Sequence, residues 1–169
     1  MLRQLPFLKD AFYIDLLNNN TEERYALNPR LLLEQVRAMK NGSWVIIDEI
    51  QKIPKLLDHV HILIEERNVN FALTGSSSRK LKRGGADLLA GRAWSFSLYP
   101  FTSRELGPRF DIQHALQWGT LPKVVALSSY QDKSRFLRSY AQTYLKEEIL
   151  IEQLVRNLDP FRLFLPVAA

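Results

Sequence analysis

The chain has 169 residues, 46% of them hydrophobic and 24% charged, a balance that suits one globular domain with or without a helical appendage. It contains no cysteine, which excludes disulfide frameworks, thiol nucleophiles and zinc–thiolate sites. The net charge of +5 and pI near 9.6 favour anionic partners such as nucleotides or nucleic acid without choosing between them; no apolar run reaches the ~20 residues of a membrane span, and no long apolar stretch marks a signal peptide, so a cytoplasmic location is expected.

In chain order, Leu2, Leu5 and Leu8 recur at near-helical spacing with no capping residue before them, like the tail of a helix. Residues 11–17 (AFYIDLL) read as a strand closed by an Asn18-Asn19-Asn20 loop. Asn28-Pro29 combines a good cap with a proline suited to a first helical position. The helix it predicts carries Leu32, Leu33, Val36 and Met39 on one face and stops at Asn41-Gly42. Next comes an unbroken apolar run, Trp44 to Ile47, the pattern of a strand buried on both faces of a parallel sheet, ending in Asp48-Glu49. Pro54 then opens a helix with Leu56, Leu57, Val60, Leu63 and Ile64 in one stripe. His59 and His61, two apart, project from different faces and read as boundary residues, not metal ligands.

Val69 to Leu73 is the next expected strand, running into Thr74-Gly75-Ser76-Ser77-Ser78. A basic stretch follows (Arg79, Lys80, Lys82 and Arg83), then Gly84-Gly85, a short helix over 86–90, and a strand from Trp94 to Leu98. Strand and helix in alternation predict an α/β fold: a parallel sheet with flanking helices, followed by a helical segment. Beyond Gly107-Pro108 the pattern turns helical, with a short helix over 112–118, a turn over 119–122 and a long helix from Gln131 to about Leu154. The expected domains are therefore 1–107 and 108–169.

Carboxylates at the carboxyl end of a buried parallel strand lie where open α/β sheets bind ligands. Two adjacent acids there suit nucleotide hydrolysis, one holding a magnesium ion and the next orienting and deprotonating the attacking water. The same pair would also suit a plain polar turn before Pro54. Thr74 and the serines after it, on a neighbouring strand end, suit contact with a terminal phosphate, or simply a Gly/Ser turn. A serine hydrolase is disfavoured, since no G-x-S-x-G elbow occurs. The basic stretch 79–83 leaves a second class open, a non-catalytic nucleic-acid- or protein-binding module.

The segments WVIIDEIQKIP and FALTGSSSRKLKRGGADLLAGRAWSFSLYPFTSREL, with the later LPKVV and SYAQTYLKEEI, resemble a prokaryotic AAA+ P-loop ATPase family joined to a DUF4143 carboxyl-terminal domain. The resemblance implies a P-loop NTPase-like fold that uses ATP and magnesium. It places Walker B at Asp48-Glu49, with Asp48 on magnesium and Glu49 activating water. Thr74 or Ser76 would sense the γ-phosphate, and Arg92 would be a positive charge near phosphate, or a brace of the sheet. Relatives in rings make a homo-oligomer an expectation by analogy. The family's GxxxxGK[ST] loop, whose backbone amides cradle phosphates, has no counterpart among the seven glycines of this sequence. The resemblance thus implies an ATPase core shortened at its beginning, carrying only the opening of the DUF4143 region at its end, and weak or inactive in hydrolysis.

Overall fold

The computed structural model describes residues 6–75, 91–144, 160 and 163. Its chain contacts divide the protein into two compact units, residues 1–94 and 95–169.

The first unit is built on three parallel strands, β1 (Phe12–Asp15), β2 (Trp44–Asp48) and β3 (Asn70–Leu73), in the order β1-β2-β3. The parallel α/β reading of the sequence is therefore correct, and β2 is central. Register pairs Ile14 with Ile47 and Ile47 with Leu73. Because side chains alternate across a strand, Phe12, Ile14, Val45, Ile47, Phe71 and Leu73 share one face. That face packs into the core with Leu32 and Val36 of α2 (Leu31–Arg37) and with Leu56, Leu57, Val60 and Leu63 of α3 (Leu56–Glu66). Of the stripes expected on these helices, Leu32, Val36, Leu56, Leu57, Val60 and Leu63 are buried, while Leu33, Ile64 and Met39, the last beyond the end of α2, are partly buried against the same core. The opposite face carries the row Tyr13–Ile46–Ala72 and, one step on, Asp15 beside Asp48.

Several local readings are corrected. Pro6–Leu8, the described part of the expected leading helix, is a 3-10 turn. The Asn18-Asn19-Asn20 loop is instead the start of α1 (Asn19–Leu27), because the Asn18 side chain caps it by accepting from the Thr21 N–H at 3.1 Å. Asn28 consequently closes α1 with its N–H on the Arg24 carbonyl, and α2 begins at Leu31 without a side-chain cap. The chain between α2 and β2 turns at Gly42, whose φ of +81° suits glycine and whose N–H reaches the Asn68 carbonyl at 2.6 Å. The strand expected over 94–98 has no regular structure. No described strand edge pairs with it, and Trp94, Phe96, Leu98 and Tyr99 are exposed.

The second unit contains α4 (Ser103–Leu106), α5 (Ile112–Trp118), α6 (Pro122–Ala126) and α7 (Tyr130–Thr143). α5 coincides with the expected short helix, with the Asp111 carboxylate capping it. Pro122, expected in a turn, is the first residue of α6. Ser129 caps α7, on which Phe136, Tyr140 and Tyr144 stack one turn apart. The expected continuation of this helix to Leu154, the helix over 86–90, Ser76 and the basic stretch Arg79, Lys80, Lys82 and Arg83 lie outside the described residues. No described helix is long and apolar enough to cross a membrane.

Candidate functional site at the strand ends

Parallel pairing brings the carboxyl ends of all three strands to one edge of the sheet, and Asp48 is the last residue of the central one. Its neighbours hold it from both sides. The Tyr13 hydroxyl on β1 donates to Asp48 Oδ2, and the Thr74 hydroxyl, just past β3, donates to Asp48 Oδ1. All three side chains are in part-buried positions, where a hydrogen bond to a charged acceptor is stronger than in water.

The loop after β2 is fastened to the same threonine. Ile50 N–H reaches the Thr74 carbonyl at 3.0 Å, Thr74 N–H reaches the Ile47 carbonyl at 3.0 Å, and Glu49 N–H donates to Thr74 Oγ1 at 3.2 Å. The Thr74 hydroxyl thus accepts from Glu49 and donates to Asp48, so one side chain couples both acids. This fastening holds Glu49 in the left-handed region at φ 61°, the one such non-glycine residue among those described. The Gln51 side-chain amide donates to Glu49 Oε2 and orients its carboxylate. On the far side of β2, the Leu16 N–H donates to the Asp48 carbonyl at 3.2 Å, so the backbone of Asp48 is also tied to the β1 side.

Among the sequence-predicted residues, the structure brings Asp48, Glu49 and Thr74 together. Arg92 donates through Nε to Glu65 Oε1, near the end of α3, at 2.5 Å. That hydrogen bond, and then the guanidinium charge, hold the Glu65 carboxyl below its ordinary value. Sequence reasoning missed Tyr13 and Gln51. Tyr13 sits inside an apolar strand pattern, and only the β1–β2 register, which places it two residues short of the Asp15–Asp48 pair and on the same face, reveals its reach to Asp48. Beside it, a cavity of about 480 Å³ has Lys9, Tyr13, Asp15, Asn18, Thr21 and Ile46 among its lining residues.

No group of three or more His, Cys, Asp or Glu residues with metal-binding geometry occurs among the described residues. A single carboxylate with hydroxyl neighbours fits magnesium all the same, because that ion keeps several waters and takes one or two carboxylates plus substrate phosphates instead of an all-protein cage.

The three-stranded parallel sheet with flanking helices is consistent with a P-loop NTPase-like α/β fold. The family model for the AAA domain matches residues 1–107, more than half of the chain. The protein therefore belongs to the AAA domain family, and residues 1–107 are an AAA-type ATPase domain. No curated protein and no solved structure matches the chain.

Proposed function

We propose that the Asp48–Glu49–Thr74 strand ends form the nucleotide site of this AAA domain, with Asp48-Glu49 as its Walker B pair. The observation that carries the reading is the coupling of the two acids through one hydroxyl: Thr74 accepts from the Glu49 N–H and donates to the Asp48 carboxylate. In this reading Asp48 holds magnesium bound with ATP. The ion would supply charge neutralisation at the phosphate oxygens. Glu49 takes a proton from the attacking water onto a carboxylate that Gln51 keeps oriented. Thr74, or Ser76 beyond it, would contact the terminal phosphate. Arg92 acts as a brace, consistent with its bond to Glu65; the phosphate-side role remains the alternative for this residue.

The 169-residue sequence carries no GxxxxGK[ST] segment. Backbone amides of such a loop supply the main grip on the β- and γ-phosphates. Weak binding and slow or absent hydrolysis are therefore proposed for this chain on its own. Residues 1–107 would be the ATPase core and 108–169 a helical segment leading into a DUF4143-type region. A homo-oligomer, in which a neighbouring subunit completes the site, belongs to the same reading.

Calorimetry with a non-hydrolysable ATP analogue and magnesium tests it, using the unsubstituted chain and Asp48→Asn. Binding tighter than about 100 μM, worth roughly 5.5 kcal/mol, that disappears in the variant supports the site. Equal binding by both proteins removes Asp48 from it. If neither binds, a salt titration with short DNA duplexes takes up the second reading, in which the basic stretch 79–83 contacts a phosphate backbone and affinity falls steeply with salt.

A further inference from the structure

Asp48 lies on the central strand, and each flanking strand contributes one hydroxyl to it: Tyr13 from β1 to Oδ2, Thr74 from the end of β3 to Oδ1. A carboxylate held by one donor swings about its last torsion, which is a broad, nearly two-fold well. A donor on each oxygen, arriving from opposite sides, fixes the plane. Each carboxylate oxygen accepts two hydrogen bonds, so one acceptor direction per oxygen stays open while the orientation is set. Thr74 has a second task, accepting from the Glu49 N–H. Tyr13 approaches from the β1 side. Its ring lines the 480 Å³ cavity and its hydroxyl reaches across to Asp48.

We infer that Tyr13 is a positioning residue for Asp48, setting the orientation in which that carboxylate receives a divalent cation accompanying a nucleotide. The inference rests on the proposed nucleotide site. Hydrogen-bond partners that orient a ligating group typically contribute ten- to a hundredfold to metal affinity, although they never touch the metal. A tyrosine that merely satisfies its hydroxyl on the nearest acceptor would leave metal dependence alone.

The test measures ATP affinity in magnesium and in EDTA for the unsubstituted chain, Tyr13→Phe and Asp48→Asn. The expected result is a magnesium enhancement that is lost in Asp48→Asn and reduced about tenfold in Tyr13→Phe, with affinity in EDTA equal in all three. Full enhancement in Tyr13→Phe alongside its loss in Asp48→Asn overturns the role of Tyr13 and leaves the site standing. An equal loss of affinity in EDTA by Tyr13→Phe also overturns it, showing a structural role. Absence of enhancement in the unsubstituted chain, or its persistence in Asp48→Asn, overturns the site and the inference together. A second readout keeps the phenol hydroxyl at this position. With 3-fluorotyrosine incorporated at residue 13, the fluorine resonance is expected to shift when magnesium joins the ATP complex of the unsubstituted chain and to stay still in Asp48→Asn. A resonance unmoved in both overturns the role even if Tyr13→Phe fails to fold.

Discussion

Glu49 sits at φ 61° and ψ 45°, a conformation that costs an L-residue about 1–2 kcal/mol and that glycine adopts freely. The surrounding bonds impose it, since the Glu49 and Ile50 N–H groups both point at Thr74. Strain of this kind, retained on a side chain able to accept a proton, fits a functional position better than a turn selected for stability. The expected consequence is that Glu49→Gly is more stable than Glu49→Ala by about 1 kcal/mol, read from urea midpoints at unchanged slope. Equal midpoints would mean the loop relaxes and the strain is not imposed by Thr74. At this scale the sequence was informative at a pattern break: the apolar run ending at Asp48 marked the strand end where the proposed site lies. It was silent on Tyr13, because a phenol within an apolar strand acquires a partner only through register. It was equally silent on the backbone of Glu49, since glutamate is not a residue that signals left-handed geometry.

Elements were legible where a stripe of apolar residues is also the buried face. In α3 the stripe read from sequence is Leu56, Leu57, Val60, Leu63 and Ile64, of which the first four are almost fully buried in the core and Ile64 is partly buried against it. Leu63→Ala should therefore lose about 2–5 kcal/mol, whereas Leu27→Ala, at a side chain 80% exposed, should stay within about 0.5 kcal/mol; thermal or urea unfolding of both variants checks the contrast. α1 was missed because it buries only Tyr25 and offers no stripe, so its start rests on the Asn18 cap alone. The error over 94–98 is the converse. Trp94, Phe96 and Leu98 alternate as a strand should, but alternation supplies no neighbouring edge. α4 is a third case, four residues held by a capping box between Thr102 and Glu105. The Thr102 backbone N–H and then its hydroxyl, both donating to Glu105, hold that carboxyl below its ordinary value. A lowered folded pKa means the stabilisation is complete above the ordinary glutamate range and is lost as pH falls through the lowered value. Thr102→Ala should destabilise α4 at both ends of that range, because the hydroxyl also accepts from the Glu105 N–H at 3.2 Å, and the loss should be larger above it, where the charged Glu105 carboxylate also loses the hydroxyl donor. Hydrogen exchange of the 103–106 amides, compared at the two pH values after correction for intrinsic rates, distinguishes this from a pH-independent loss.

At the scale of the molecule, burial is distributed unevenly. The first unit holds the sheet face and the α2 and α3 stripes, with Val45, Ile47, Leu32, Val36 and Val60 showing essentially no exposure. Among the described residues beyond 94, Leu106 and Val124 are the buried hydrophobics, and α5 and α7 bury none. The aromatic ladder Phe136–Tyr140–Tyr144 on α7 supports the helix through contacts one turn apart, but Tyr140 and Tyr144 remain exposed. Opening free energies follow such differences, because an amide exchanges when its element opens and the cost is the apolar surface exposed. The amides of β2, hydrogen-bonded on both sides within the sheet, should exchange at least about tenfold more slowly than those of α7 after correction for intrinsic rates. Mass spectrometry of peptides spanning 44–48 and 130–143 measures this. Equal protection would show that α7 is held by more than its own turn-to-turn contacts. The same gradient bears on the proposed site. Asp48, Glu49 and Thr74 lie at the edge of the best-packed element, where a rigid strand end can hold a carboxylate in one orientation while the loop that follows it carries the strain.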